Sequence, residues 1–362
     1  MAKKRAESVV SLFWNNLTSV VPVSDWSEKI NLTDEMFFAG SCFASNLFDY
    51  LDDRGFLVSG APFGQIYNPL SMEACLKLIL EPSLLKKEDL FLSDGLYRHF
   101  DFHTKKTDTN PDRLFETLES SLLSARNSLQ SSSVCFFTFG TSFYYRDTES
   151  GIIVNNCHKL PGTRFHRESA DIARLAESMG KSIRMIRKGN PMCRFVLTVS
   201  PVRHLRDNPA ENSYSKALLR CAVEEIVNGR DIVYFPAFEI VMDELRDYRW
   251  FQPDLSHLVP AAEEYILNRF FAAACSERFH LYLSEIERLK TRTAHRSSEQ
   301  NLKTGEADIE TEYRRIVGTY PELKLSERKK TLKIGQNALL EKRVKGDRIA
   351  GGKEEKRKKV GI

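Results

Sequence analysis

Four short apolar runs, separated by segments with helical periodicity, constrain the fold of this chain more than any other feature. They are rich in Val, Phe and Thr, and they cover 34–40 (DEMFFAG), 134–140 (VCFFTFG), 193–200 (CRFVLTVS) and 231–236 (DIVYFP). Continuous apolar strands of this length are typical of a parallel sheet that is buried on both faces. Amphipathic helices are predicted over 112–129, 168–188, 213–228 and 260–283. The alternation predicts an α/β fold, a three-layer α/β/α arrangement around a mostly parallel sheet.

The chain is long enough for one large domain with an extension. We expect an N-terminal segment over 1–34, the α/β domain over 35–285 and a basic extension over 286–362. The apolar pattern weakens after about Leu289, where a polar linker is predicted. The extension holds 21 Lys and Arg against 12 Asp and Glu, whereas the whole chain has a net charge of only +4. We expect this extension to be partly helical or flexible, and it is a candidate to bind an anionic partner.

Composition excludes several classes of protein. No run of 18 apolar residues exists, so no membrane-spanning helix is expected, and the polar residues near the N-terminus argue against an export signal. Seven scattered cysteines without CxxC spacing favour reduced thiols in the cytoplasm. The histidines have no HxH or HExxH spacing, so we expect neither a metal site nor another cofactor.

The stretch FFAGSCFA at 37–44 is the first candidate for chemistry. A strand that ends at Gly40, followed by a helix from about Cys42, provides a tight turn and free N–H groups at the helix N-terminus. Ser41 is a candidate nucleophile there, although serine also favours the position before a helix as its cap. Cys42 is the alternative nucleophile, because a helix N-terminus lowers the pKa of a thiol.

A second candidate lies in WFQPDLSHLVP at 250–260. Asp254 and His257 are three residues apart, and a turn can bring that carboxylate against the imidazole, as in a catalytic triad. Loops at the carboxyl ends of parallel strands carry ligand sites in α/β sheets. His158 and Arg203 each follow a predicted strand, so both are candidate substrate-binding residues.

Several blocks of the sequence resemble the GSCFA family, roughly over residues 35–275. GSCFA itself lies at 40–44, and the other blocks are PFGQIYNPLS (62–71), FGTSFYY (139–145), NCHKLP (156–161), LTVSPVRH (197–204), ENSYSKALL (211–219) and YFPAFEIVMDELRDYRWF (234–251) leading into DLSH. That family is grouped with the SGNH, or GDSL-like, hydrolases. The resemblance implies their flavodoxin-like α/β/α fold.

The resemblance also implies roles for individual residues. Ser41 corresponds to the nucleophile by residue type, but with the glycines aligned Cys42 takes the place of the serine in the GDS triplet. Asp254 and His257 match the DxxH of the last block.

The same comparison implies an oxyanion hole. The N–H groups of Ser41 and Gly64 are expected to line it, and Thr141 is a candidate third donor where the superfamily has an asparagine. Ser142 and Asn68 are further candidates for contact with the substrate.

The sequence therefore predicts a serine hydrolase that cleaves an acyl or acetyl ester through a Ser-His-Asp triad and an acyl-enzyme. The expected substrate is a small-molecule or glycan ester. Three alternatives stay open: the same chemistry with Cys42 as nucleophile, an acyltransferase with the same triad, and a non-catalytic binding protein on the hydrolase fold.

Overall fold

The computed structural model describes residues 19–204, 207–295 and 302–325. These residues form the strands β1 (Met36–Gly40), β2 (Val58–Gly60), β3 (Phe91–Ser93), β4 (Leu96–Arg98), β5 (Val134–Phe139), β6 (Phe143–Asp147), β7 (Ile153–Val154), β8 (Phe165–Ser169), β9 (Arg194–Val199) and β10 (Ile232–Tyr234). The longer helices are α1 (Cys42–Asp52), α2 (Pro69–Leu80), α3 (Pro111–Ser131), α4 (Ile172–Gly189), α5 (Pro209–Glu224), α6 (Pro260–Ala274), α7 (Glu277–His295) and α8 (Leu302–Thr319).

The central sheet has five strands in the order β2-β1-β5-β9-β10, and every neighbouring pair is parallel. Counted along the chain, this is the 2-1-3-4-5 order of doubly wound flavodoxin-like sheets. The predicted α/β fold with a mostly parallel sheet is confirmed. The order in which strands are added to the sheet reverses between β1 and β5, and in such sheets ligands bind at this point, outside the carboxyl ends of the strands.

Helices cover both faces of the sheet. On one face, alternate strand residues such as Phe37, Phe137 and Phe195 belong to a core cluster with buried side chains of α2, α3, α4 and α5. On the other face, Phe136 meets Phe270 of α6 with ring centroids 5.2 Å apart, and Phe38 meets a ring of α1. The strands are therefore apolar on both sides, which explains their continuous hydrophobic runs.

Two smaller sheets are formed by segments that lie between the central strands along the chain. The sequence analysis predicted neither of them. β3 and β4 form an antiparallel hairpin, and β6 pairs in antiparallel fashion with β7 and β8. β8 occupies the start of the segment predicted as a helix from 168, so α4 begins only at Ile172. These strands are short and partly exposed, so they lack the apolar runs that identified the others.

The chain divides into two compact units, and the first consists of Met1–Ile30, Asp34–Asp49 and Val58–Cys275 as far as they are described. The predicted helix over 260–283 is in fact two helices, α6 and α7, because Cys275 leaves helical geometry with φ −103° and ψ 153°. The first unit thus ends before the boundary expected at 285. Its N-terminal part runs beside the end of α6, where the N–H of Ile30 donates to Ala274 O at 2.7 Å.

The second unit consists of Asn31–Thr33, Tyr50–Leu57 and the described part of Ser276–Ile362. Phe56 stacks on Phe279 with ring centroids 4.4 Å apart. Glu287 accepts hydrogen bonds from Tyr50 Oη at 2.7 Å and from Arg54 Nε at 2.6 Å. Most of the predicted linker is helical, since α7 reaches His295 and α8 begins at Leu302, while 296–301 and 326–362 lie outside the described residues.

Within the described residues, no helix has both the length and the apolar character needed to cross a bilayer.

Candidate active site

The candidate site lies where β1 and β5 end, at the switch in strand order. Gly40 pairs in register with Thr138 of β5, and its φ of 140° lies outside the range that other residues readily adopt. A Cβ atom at Gly40 would lie 2.2 Å from Thr138 O. Only glycine therefore allows the chain to turn from β1 into α1 this close to β5.

Ser41 is turned toward the sheet. Its side chain is buried, with 2% of the residue exposed. Its N–H donates to Thr138 O at 3.1 Å and to Thr138 Oγ1 at 2.9 Å, and the two hydroxyls lie 2.9 Å apart. The N–H of Ser41 is thus already bonded to Thr138, which argues against the oxyanion-hole role predicted for it.

Cys42 is the first residue of α1 and is only half-buried. Its Sγ lies 3.7 Å from the hydroxyl of Tyr67. Because the first N–H groups of a helix have no partner within the helix, the Cys42 amide is available to an anion beside its own thiol. Of the two adjacent candidates, Cys42 is the more exposed residue.

Asp254 and His257 form the predicted pair. Asp254 Oδ2 lies 2.6 Å from His257 Nδ1, while Oδ1 accepts the N–H groups of Ser256 at 2.9 Å and His257 at 3.0 Å. Leu255 has a φ of 55°, which closes the turn. The bond from His257, helped by these N–H groups, lowers the pKa of Asp254 to about 2. The carboxylate stays ionised and fixes the ring, so Nε2 is the free nitrogen.

The Asp-His turn lies beside α1. Glu263 of α6 accepts a hydrogen bond from Asn46 of α1 at 2.5 Å. Burial raises the pKa of Glu263, which lies within range of electrostatic interaction with His257. Asn46 lies one helical turn after Cys42 and shares its face of the helix. This face of α1 therefore contacts the first turn of α6, which follows the Asp-His turn along the chain.

Arg203 is brought to the same turn from the end of β9. Its carbonyl accepts the Ser256 hydroxyl at 2.6 Å, and its N–H donates to Ser256 O at 3.4 Å. Its guanidinium lies over the ring of Phe251, 4.5 Å from the centroid. The next residue, His204, meets the Tyr67 ring edge-on at 5.1 Å. The loop after β9 therefore connects the Asp-His turn with the tyrosine beside Cys42.

Gly64 lies in the loop after β2 and has a φ of 81°. A Cβ atom there would lie 2.8 Å from His103 Cβ, so the position is restricted to glycine. Two residues on, the N–H of Ile66 donates to Gly40 O at 2.7 Å, which holds the loop at the end of β1. Asn155 fixes the other side, because its Nδ2 donates to Gln65 O at 3.2 Å and to Asp101 O at 3.1 Å.

Thr141 and Ser142 lie near this site but have other partners. The Thr141 hydroxyl lies 3.0 Å from Ser215 Oγ and accepts the Phe143 N–H at 3.1 Å. Ser142 is fully buried, and its N–H donates to Ser215 Oγ at 2.7 Å. The two residues anchor the loop after β5 to α5. Both hydroxyls therefore already have hydrogen-bond partners within the protein, which argues against the roles predicted for them.

Asn68 is the N-cap of α2. Its Oδ1 accepts the Ser71 N–H at 2.8 Å, and its Nδ2 donates to Ser71 Oγ at 3.0 Å. With 6% of the residue exposed, it has a structural role instead of the predicted substrate contact.

His158 is also buried, with 3% exposed, and its Nε2 donates to His99 O at 2.8 Å. Its ring packs edge-on against Phe91, with centroids 5.5 Å apart. It belongs to the region around β3 and β4 and is not brought to the Asp-His turn.

Sequence reasoning missed two residues that shape the site. Thr138 fixes Ser41, and Tyr67 places a hydroxyl beside the Cys42 thiol. Thr138 is a polar residue at the end of an otherwise apolar strand, which is a usable signal for a partner across the sheet. Tyr67 precedes the α2 cap, and its proximity to Cys42 depends on how the loop folds back, which no local pattern encodes.

The described residues thus define an α/β protein with a half-buried thiol and an aspartate-oriented histidine over the carboxyl edge of a parallel sheet. The chain belongs to the GSCFA family, whose sequence profile matches residues 35–270. No curated protein matches it.

Proposed function

We propose that this protein cleaves an acyl ester through a covalent acyl-enzyme, with Cys42 as the nucleophile and His257, oriented by Asp254, as the base. The observation that carries the proposal is the contrast between adjacent residues: the Ser41 hydroxyl contacts the Thr138 hydroxyl in a buried position, whereas Cys42 begins a helix and is only half-buried. The expected substrate is a small-molecule or glycan ester.

The resemblance to SGNH hydrolases supports the same assignment. With the glycines aligned, Cys42 takes the position of the serine nucleophile in that superfamily. The parallel sheet in 2-1-3-4-5 order suits such a fold. The proposed location is the cytoplasm, where the seven cysteines, all free in this structure, would stay reduced.

In the first half-reaction, His257 Nε2 takes the proton of the Cys42 thiol as sulfur attacks the acyl carbonyl carbon. The carbonyl oxygen becomes negative and is stabilised by the N–H groups of Cys42 and Gly64. The ester C–O bond then breaks. The departing alkoxide takes the proton from His257, and a thioester remains on Cys42.

In the second half-reaction, His257 takes a proton from water or from an acceptor alcohol, whose oxygen attacks the thioester. The C–S bond breaks, and the thiolate regains its proton from His257. With water the product is a carboxylic acid; with an alcohol it is a new ester. The same residues thus support a hydrolase or an acyltransferase, and Asp254 stabilises the imidazolium that forms in both steps.

The experiment uses p-nitrophenyl acetate with wild type, Cys42→Ala and Ser41→Ala. Cys42→Ala is expected to lower turnover by about a hundredfold or more, because it removes the attacking atom. Ser41→Ala is expected to keep turnover within about tenfold of wild type. Mass spectrometry of a rapidly quenched reaction should find an acetyl group on the peptide that contains residue 42.

Cys221 provides the matched control, because it is an exposed thiol outside the site. Cys221→Ala should leave both turnover and the acetylated peptide unchanged. Activity that survives in Cys42→Ala but is lost in a folded Ser41→Ala variant would contradict the thiol mechanism in favour of the serine. Wild type that neither turns over a panel of esters nor becomes acetylated would support the binding-protein alternative.

A further inference from the structure

A cavity lies away from the Asp-His turn, between α2, the β3–β4 hairpin and the loop after β6. It is called the second cavity, to separate it from the candidate active site. Its volume is about 540 Å³, within the range of small-molecule sites. Its walls combine apolar side chains with an excess of acidic over basic groups. The acidic residues are Glu88, Asp89, Asp101, Asp147 and Glu149, and the basic ones are Lys77 and Arg164.

Part of this charge is balanced within the wall. Arg164 Nε donates to Asp147 Oδ1 at 2.6 Å, and Arg164 Nη2 lies 3.0 Å from Glu149 Oε2. Asp101 is balanced less well: its Oδ2 lies 3.9 Å from His99 Nδ1, nothing among the described residues donates a hydrogen bond to its carboxyl, and only 17% of its side chain is exposed. A carboxylate withdrawn from water without a partner favours a cation in the cavity.

His99 provides an independent indication of a ligand. Only 6% of His99 is exposed, and the residue lines the cavity. Its Nδ1 accepts the N–H of Asp101 at 3.1 Å, so Nδ1 carries no proton and the hydrogen is on Nε2. No acceptor for this Nε2–H is found in the described part of the chain. The Nε2–H is therefore available to an acceptor on a bound molecule.

Burial sets the protonation of both groups. It lowers the pKa of His99 to about 4, so the ring is neutral near pH 7 and keeps its single N–H. Burial, aided by the charge of Asp89, raises the pKa of Asp101 to about 7. A cation beside this carboxyl would favour its ionised form.

The apolar part of the wall defines the rest of the ligand. Phe91 and Phe100 stack with centroids 4.3 Å apart, and Leu78 and Ile152 add aliphatic surface. This surface suits an apolar body and offers aromatic faces to a cation. A metal ion is a poorer fit, since no group of three His, Cys, Asp or Glu side chains able to hold one occurs in the described residues.

We propose that this cavity binds a small organic ammonium compound with an apolar body and a hydrogen-bond acceptor. The ammonium donates to the Asp101 carboxylate, and the acceptor receives the Nε2–H of His99. The inference does not depend on the proposed ester chemistry, because the cavity shares no residue with Cys42, Asp254 and His257.

The test uses tyramine, which has an ammonium, an aromatic body and a phenol oxygen, and the full chain in isothermal titration calorimetry. Tyrosol replaces the ammonium with a hydroxyl, and phenethylamine lacks the phenol. Tyramine is expected to bind about tenfold or more tightly than tyrosol, as expected for a hydrogen bond to a charged group. It should also bind more tightly than phenethylamine by a smaller factor.

Asp101→Asn is expected to fold, because it removes a buried charge without a partner, and to abolish the preference for tyramine over tyrosol. Glu177→Gln, on the exposed side of α4, is the matched control and should keep that preference. Equal binding of tyramine and tyrosol to wild type, or no binding of either, would overturn the proposal. A preference that persists in Asp101→Asn would overturn the assignment of the ammonium to this carboxylate.

Discussion

The losses of stability caused by removing the hydroxyls of Ser41 and Thr138 one at a time should add up to more than the loss caused by removing both together. The two oxygens lie 2.9 Å apart, and both residues are almost completely buried, with 2% and 1% exposed. A buried hydroxyl left without its partner costs about 1–3 kcal/mol.

A double-mutant cycle separates the contributions of the two hydroxyls. Ser41→Ala deprives Thr138 of one hydroxyl partner, and we expect a loss of about 1 kcal/mol in the free energy of unfolding. Thr138→Val deprives Ser41 of its hydroxyl partner and of one acceptor for its N–H, which keeps Thr138 O at 3.1 Å. That variant should lose about 2 kcal/mol. The double variant should lose about 1 kcal/mol less than the sum of the two, because no unpaired hydroxyl remains.

The assay is urea unfolding at neutral pH, followed by circular dichroism, for wild type, both single variants and the double variant. Additivity within about 0.3 kcal/mol would refute the reasoning, because it would show that the hydroxyls do not interact in solution. Ser41 would then be free to serve in catalysis, and the structural basis for choosing Cys42 would be lost.

Further predictions concern a glycine and two buried charges. Gly40→Ala places a Cβ 2.2 Å from Thr138 O, so unfolding experiments should show a loss of about 3 kcal/mol or a failure to fold. Burial lowers the pKa of Lys216 to about 7, so the unfolded chain binds more protons above that pH. Stability should rise from pH 7 to 9 by up to about 1 kcal/mol per unit more in wild type than in Lys216→Met. Burial raises the pKa of Asp101 to about 7, so the folded protein loses stability relative to the unfolded chain as pH rises from 4 to 7. In denaturation experiments Asp101→Asn should therefore be more stable than wild type at pH 8, and the difference between the two should be smaller at pH 4.

The central fold could be predicted because its strands are buried on both faces. A continuous apolar run such as VCFFTFG identifies a buried strand by its own composition. Helices between such runs imply that the strands pair in parallel. The short strands β3, β4 and β8 have one exposed side and mixed composition, so no local pattern separated them from loops. The break between α6 and α7 did leave a signal, because Ser276 before Glu277 is a typical helix start.

The candidate site was predicted in part. Asp254 and His257 were paired from spacing, and the structure joins them through Oδ2 and Nδ1. The choice between Ser41 and Cys42 could not be made from sequence, because it depends on which side of the turn faces β5. The burial of Ser142 was equally invisible, since its partner Ser215 lies far along the chain.

The two hydrogen bonds of Asn155 join the loop of Gly64 to the backbone of Asp101, one residue donating to both. Asn155 therefore connects the cavity wall at Asp101 with the loop of Gly64 through hydrogen bonds that do not involve Cys42. A change in the cavity that displaced the Asp101 backbone would alter the position of the Gly64 amide, so reaction rate and cavity occupancy should be measured together in every variant of either loop.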